Sequence, residues 1–524
     1  MARARSWMFV FLSLALLLTC SAYRGLHQQQ SRDNDNNNPC LNLISQNIRA
    51  RDPAESSSIQ AKSEGGRFEV TTPNDAPELE CARVAFNREV ISENSLARPR
   101  YTNVPLVAYV VKGEGYFSIV FPGCPNTIED PFEEIRGGRQ PRREPHHQPG
   151  RQDERGQGQQ QQEGEDEQYE HDTAQKIHRV KRGDAIAIPA GHVFWIYNNR
   201  NEDLEIVSVA DLANHQNQLD EEYLTFLLNG NAPVLPQQQE GRRRGRDESG
   251  RRGGEGQDAS GILSGFSSDR LARALGIRNC TASRLQGKEQ QQQRGLHVKV
   301  NFQNPSRDAL YVAENAGNGF PSETVCNQRI RHNINRRDQP DFYHPRAGFM
   351  SVANSFKLPI LDNIRLSADH VNLQPNAIFG PSWVVNAHRV IYALQGSGNV
   401  EIVAPNGEGV FQGRLRRGQF LVIPQFFAAV KEASEEGFEW VAFLTHQRPY
   451  RSDLSGAGSV FVGLPRPVVE EAFGLEEEEA RALDRNLRRR ANTPFSPPRS
   501  GSQVDYECPR QGDQDRDQPG FQLH

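Results

Sequence analysis

Metal-binding cysteine pairs are missing from this chain. Its seven cysteines, at positions 20, 40, 81, 124, 280, 326 and 508, include no CxxC or CxxxxC pair, which argues against a cysteine zinc site. No GxSxG nucleophile elbow and no phosphate-binding glycine loop occurs. After an N-terminal run at 7–18 (WMFVFLSLALLL) no apolar stretch reaches 18 residues, so no membrane span is expected. The net charge of −5 gives no reason to expect a nucleic-acid partner. Lysine is also scarce: 8 of the 61 basic residues are Lys and 53 are Arg. A solvated surface needs charge but has no need of Arg over Lys. Arg carries four nitrogens to the two of Lys, and Gln runs at 28–30, 159–162, 237–239 and 290–293 add more. A chain selected to hold nitrogen would show this bias, as would a compositionally biased genome or an RNA-binding tail.

What is present begins with Met-Ala-Arg-Ala-Arg, the apolar run, and the small residues Cys20-Ser21-Ala22. That order reads as a secretory signal peptide, 1–22, cut between Ala22 and Tyr23. Removal of Cys20 leaves six cysteines in an oxidising compartment. Disulfides are expected there, although six cysteines allow 15 pairings. The segments 137–172, 237–260, 289–294 and 492–524 are rich in Gln, Glu, Arg and Gly or lack apolar periodicity. They cannot bury enough apolar surface to offset chain entropy and are expected to be disordered. In 242–252 (RRRGRDESGRR) the acids and the missing aromatics favour a solvated loop over an RNA-binding patch.

The remainder reads as strands. Residues 104–120 (VPLVAYVVKGEGYFSIV) are broken at Gly113-Glu114-Gly115, which predicts a hairpin. Residues 183–197 (GDAIAIPAGHVFWIY) give strand, Pro-x-Gly turn and strand, and 204–210 give another strand. The pattern returns: 392–403 (YALQGSGNVEIV) echoes 109–120, and 418–430 (GQFLVIPQFFAAV) echoes 183–195. The two anchors lie 74 residues apart in the first copy and 26 in the second. One unit is therefore repeated, with a long insertion in its first copy. The expected fold class is mainly β, two jelly-roll barrels, each with a small helical extension. Apolar spacing predicts helices over 219–228 and, with Pro467 at its start, over 467–487. Such helices outside a barrel are plausible oligomer contacts.

Several motifs then converge on one family. Ser63-Glu64-Gly65-Gly66, Gly123-Cys124-Pro125-Asn126-Thr127, Gln175-Lys176-Ile177, the Gly183-Asp184 to Gly191 strand-turn, and Asn386-Ala387-His388-Arg389 to Tyr392 together resemble the legumin-type (11S) seed storage globulins, which are bicupins. The resemblance covers nearly all of the chain after the signal. It implies a cupin domain at 23–236 with a disordered insertion near 137–172, a disordered loop and the end of an acidic chain at 237–318, a second cupin domain at 319–491, and a disordered tail at 492–524. It implies cleavage by an asparaginyl endopeptidase between Asn318 and Gly319, in a segment one residue longer than the family's and carrying Pro321 and Ser322. It implies disulfides Cys40–Cys81 and Cys124–Cys326, leaving Cys280 and Cys508 unassigned. It also implies self-association to trimers and then hexamers, passage through the endoplasmic reticulum to the storage vacuole, no cofactor and no catalysis. Two features depart from the family. Thr173-Ala174 stand where His often precedes the Gln-Lys pair. The charge contrast is weak, −6 over 23–318 (36 Lys and Arg against 42 Asp and Glu) and −1 over 319–524 (23 against 24).

Many cupins are metal enzymes, holding an ion with three imidazoles and a carboxylate. Aligned on the Tyr and Gly anchors, those positions hold Pro99, Tyr101, Leu106 and Phe194 in the first copy and Ser382, Val384, Arg389 and Ala429 in the second. None is a metal ligand of the expected kind, so both barrels are expected to be filled as core. His192 and His388 sit off the register. Arg182-Gly183-Asp184 reads as the start of a strand rather than an integrin-type triplet, and Asn279-Cys280-Thr281 is an N-glycosylation sequon. The second reading is a binding module for a small apolar ligand or sugar, or a defence protein.

Overall fold

The repeated unit folds into two antiparallel jelly-roll barrels whose sheets remain open at their edges. The computed structural model describes residues 38–46, 48–124, 177–219, 221–229, 231–232, 259–287, 295–300, 302, 304–305, 328–490 and 492–498. The signal segment, the insertion, most of the loops flagged as polar, the Asn318–Gly319 bond and nearly all of the tail lie outside them. Among the described residues no helix is long and apolar enough to cross a membrane.

In the first barrel one sheet runs in the order Ile59–Ser63, Gly66–Thr71, Val84–Ile91, Leu204–Asp211, Leu106–Lys112, Asp184–Ile188, Arg331–Asn333. The facing sheet runs Thr225–Leu227, Ser95–Thr102, Val193–Asn198, Glu114–Val120, His178–Lys181, with His297–Lys299 beside Ser95–Thr102. The expected hairpin at 104–120 is not one. Leu106–Lys112 pairs with Leu204–Asp211 and Asp184–Ile188, whereas Glu114–Val120 pairs with His178–Lys181 and Val193–Asn198. Gly113 is the corner at which the chain leaves one sheet for the other. In the second barrel the same corner lies inside one continuous strand, Arg389–Val403, and its partner Ala428–Leu444 runs beside it, so that barrel is one connected 10-stranded sheet.

This corner is why glycines recur at matching offsets. Gly113 and Gly396 have φ of 81° and 67°, a region that side chains disfavour. A Cβ on Gly113 would lie 2.6 Å from the Asp203 carbonyl oxygen, and one on Gly396 would lie 2.1 Å from that of Gly437.

The barrels share a core. Phe86 of the first stacks on Phe420 (4.5 Å) and Tyr392 (5.6 Å) of the second. Glu205 accepts from Arg88 (2.8 Å) and Tyr392 (3.4 Å), and Glu439 accepts from Arg182 (3.0 Å) and His370 (2.9 Å). The ends of the chain also cross over. The first helix, Pro39–Gln46, buries Leu43 in the second barrel's core, where Ile48 joins it, and Arg51 forms a two-way backbone bridge with Phe420. Conversely Arg331–Asn333 extends a first-barrel sheet by pairing with Asp184–Ile188, and Ile330 and Ile334 flank it in the core the barrels share.

Helices differ from expectation in three places. Residues 219–228 form no helix: Thr225–Leu227 is an edge strand paired to 100–102, because an open sheet edge offered its backbone hydrogen bonds that a short isolated helix could not outweigh. The helix expected over 467–487 is two, Arg466–Phe473 and Glu477–Arg489, separated at Gly474 in left-handed conformation. Within 237–318, where no helix was expected, the described residues include helices Ser268–Leu275 and Asn279–Leu285, closed on Leu271, Ala272 and Ala282, and the strand His297–Lys299.

Candidate functional site: the two barrel interiors

The ligand register needs one correction. Arg100 pairs with Phe194, and Ser382 pairs with Ala429. The first-barrel counterpart of Ser382 is therefore Arg100, not Pro99. The segment joining Arg100 to Leu106 is one residue shorter than that joining Ser382 to Arg389, so counting back from the Tyr anchor slipped by one. Pro99 is only half-buried, as is Tyr101, which stacks on Phe226 outside the barrel at 5.0 Å. Leu106 and Phe194 do line the interior. Arg100, like the residues it replaces in the alignment, is not a metal ligand.

The first interior is not purely apolar, contrary to expectation. It encloses a cavity of about 20 Å³ lined by Asn87, Glu89, Arg100, Ser208 and Tyr223 among apolar neighbours such as Phe117, room for about one water. Glu89 accepts from Arg100 at 2.6 Å and pairs with His297 Nε2 at 2.8 Å. Burial pushes its carboxyl up, but Arg100 and His297 outweigh that and hold it at about 2. The strand period placed Asn87 and Glu89 on one face, which sequence alone could have flagged. His297 comes from a distant segment and could not have been linked to them.

The second interior is polar in a different way. Asp369, Ser382, Arg389 and Lys431 are all at most 5% exposed. Asp369 is pushed up to about 6 by burial, against the pull of Arg389 and Arg451. Arg389 is pushed down to about 10 by burial, and Lys431 is pushed well below the usual amine range by burial and then by Arg389 and Arg451. Val384 and Ala429 belong to the apolar core around them.

His192 bonds through Nδ1 to the Ala190 carbonyl and meets Phe121 edge-on. His388 accepts from the Gln425 backbone N–H, and burial depresses it to about 4. In Arg182-Gly183-Asp184 both charges are engaged, Arg182 with Glu439 and fully buried Asp184 with Asn333 and the Lys181 N–H. Cys40 is bonded to Cys81. Cys124 is disulfide-bonded to a partner outside the described residues. Cys280 is a free, exposed thiol, and Asn279 begins a helix on the surface. Among the described residues one His/Cys/Asp/Glu trio, Cys40, Cys81 and His388, gathers its ligand atoms within 4.8 Å. Its sulfurs are consumed by their own bond, so it offers no thiolate. Ala22, Tyr23, Asn318, Gly319, Cys326 and Cys508 lie outside the described residues.

Residues 50–235 and 332–481 match the cupin family. Glycinin G3 of Glycine max is 34% identical over 462 residues, 83% of this chain and 88% of that protein. Legumin type B of Vicia faba is 34% identical over 504 residues, 90% and 94% of the two chains. The crystal structure of procruciferin, the 11S globulin from Brassica napus, superposes with a TM-score of 0.66 at 32% identity, covering 87% of this chain and 98% of that one.

Proposed function

Because the chain belongs to the legumin-type (11S) seed storage globulins, a family of double cupins, we propose that its nitrogen is laid down as a precursor and packed after a single cut. It is a seed storage protein and not an enzyme. The observation that carries this reading is the coincidence of a nitrogen-rich composition, 53 Arg against 8 Lys, with barrels whose cupin metal positions hold residues that do not ligate metals.

In this reading the signal is removed between Ala22 and Tyr23 and the precursor forms trimers in the endoplasmic reticulum. In the storage vacuole an asparaginyl endopeptidase cuts between Asn318 and Gly319, and trimers then stack into hexamers. Cys326 is the partner of Cys124. Excluding the Cys40–Cys81 pair and free Cys280 leaves Cys326 and Cys508 once the signal has gone, and the family resemblance selects Cys326. Support for a cut at 318 comes from the positions of the flanking elements. The segment 306–327 separates Leu296 and Val298, buried against the first barrel, from Ile330, buried in it too, so cleavage between them need not disturb either barrel. Asn279, exposed at the head of its helix, is available for glycan attachment. The polar loops are the sites where digestion starts at germination.

The test is a gel and a sequencer. Mature protein from seed runs near full length without reductant and as two chains with it, and the smaller chain begins at Gly319. One unsplit band after reduction would refute the processing scheme.

A further inference from the structure

We infer that the second barrel holds a small monocarboxylate against the Lys431 ammonium and the Arg389 guanidinium. Storage does not depend on this site, and the site would stand if the processing scheme failed.

The starting point is an imbalance in bonding. Lys431 Nζ is fully buried and has no hydrogen-bond partner; the same is true of Arg389 Nε, Ser382 Oγ and Asp369 Oδ1. Unpaired polar atoms at this depth are rare, and each costs the desolvation of its group. Four of them in one interior point to a missing ligand.

All four belong to the same interior. Val390 and Ala368 contribute to the core shared with the first barrel, while Ile391 and Val371 belong to the second barrel's own. Strand alternation therefore sends Arg389 and Asp369 inward with the latter pair. Lys431 lies over the rings of Phe379 (5.3 Å) and Trp440 (5.9 Å), both in that core. Ser382 pairs with Ala429, two residues before Lys431.

The repeat shows that the fold does not demand these charges. By pairing register, Lys431 occupies the place of Ile196 and Arg389 that of Leu106. The first barrel carries aliphatic side chains at both.

Charge chooses the ligand. Burial favours the neutral Lys431 amine while the site is empty, so the carboxylate enters with a proton. With Lys431 then an ammonium, Lys431 and Arg389 contribute two positive charges and Asp369 one negative, while Arg451 and Asp453 neutralise each other at 2.8 Å. A monoanion balances the remainder, whereas a dianion such as phosphate would bring excess charge beside Asp369. A carboxylate has a planar edge for a guanidinium N–H and a second oxygen for the ammonium.

The probe is sodium acetate on the full-length protein, with sodium chloride and sodium phosphate at matched ionic strength. Melting is followed in each, and retention of ¹³C-acetate after gel filtration is read by NMR. Acetate is expected to raise Tm saturably by a few degrees and to be retained. Lys431→Ile and Arg389→Leu copy the first barrel. Lys431→Ile is expected to fold with at least the parent's ligand-free Tm, because it removes a buried amine that has no hydrogen-bond partner, whereas Arg389→Leu also gives up the attraction to Asp369 and is expected to melt somewhat lower. Each is expected to weaken acetate binding at least about tenfold. No acetate shift, a shift unaltered in both variants, or an equal response to chloride would overturn the assignment.

Discussion

The crossed termini predict that a cut chain stays whole without its disulfide. The perturbation is a nick between Asn318 and Gly319, made by endopeptidase or by a protease site inserted there, followed by reduction in native buffer. Four aliphatic side chains then hold pieces across the cut. Leu43 and Ile48 of the first piece sit in the second barrel's core, and Ile330 and Ile334 of the second piece sit in the core shared by the barrels, on either side of the strand paired to Asp184–Ile188, each at most 3% exposed. At about 1.5–3 kcal/mol for each buried side chain, they supply roughly 6–12 kcal/mol. That is comparable with the cost of association, about 4–15 kcal/mol. The core between the barrels, with Phe86 stacked on Phe420 and Tyr392, adds a surplus that keeps the pieces together at micromolar protein. Size-exclusion chromatography should give one peak at unchanged mass before and after reduction, and two species only in denaturant. Ile330→Asp with Ile334→Asp should lower the denaturant concentration at which the pieces part. Two separate peaks after reduction in native buffer would refute the argument.

Other perturbations test the remaining physics. Gly396→Ala, which drives a Cβ against the Gly437 carbonyl, should lower stability by about 1–3 kcal/mol or more, seen as a reduced denaturation midpoint. Gly409→Ala, with nothing within 4 Å of its Cβ, should leave that midpoint nearly unchanged. Glu89, held at about 2 from an ordinary value of 4.5, contributes stability that is complete above pH 4.5 and is lost as pH falls toward 2. Glu89→Gln should cost about 3–5 kcal/mol near neutrality and flatten the acid limb of a stability–pH profile. His388, depressed by burial to about 4, works over a different window. The unfolded chain gains its proton below pH 6.5 and the folded one does not, so stability declines between pH 6.5 and 4; His388→Asn should remove that slope. Removing the Cys40–Cys81 bond, which spans 41 residues, by paired Ala substitutions should cost about 4 kcal/mol in chemical denaturation.

Much of this protein was legible from spacing alone. Strand alternation and the recurring Gly-x-Gly and strand-Pro turns located both barrels and the insertion in the first, because a sheet with a buried face imposes a period of two on its residues. The same pattern could not tell a hairpin from a corner between sheets. Glycine suits both, and only the pairing of 106–112 and 114–120 with different neighbours distinguishes them. Nor could it place 219–228, where a short apolar run satisfies helix and strand templates equally and an open sheet edge decided.

The chain by itself determined composition, the repeat and the residue types available along each strand, since these reside in residue type and local order. Tertiary structure alone decided what faces what. It brought His297 onto Glu89, slipped the first-barrel register by one residue at Arg100, exchanged the two ends of the chain between barrels, and enclosed Lys431 without a partner. Each of these is a contact between residues far apart in sequence, and the closure that creates it leaves no local periodicity to read.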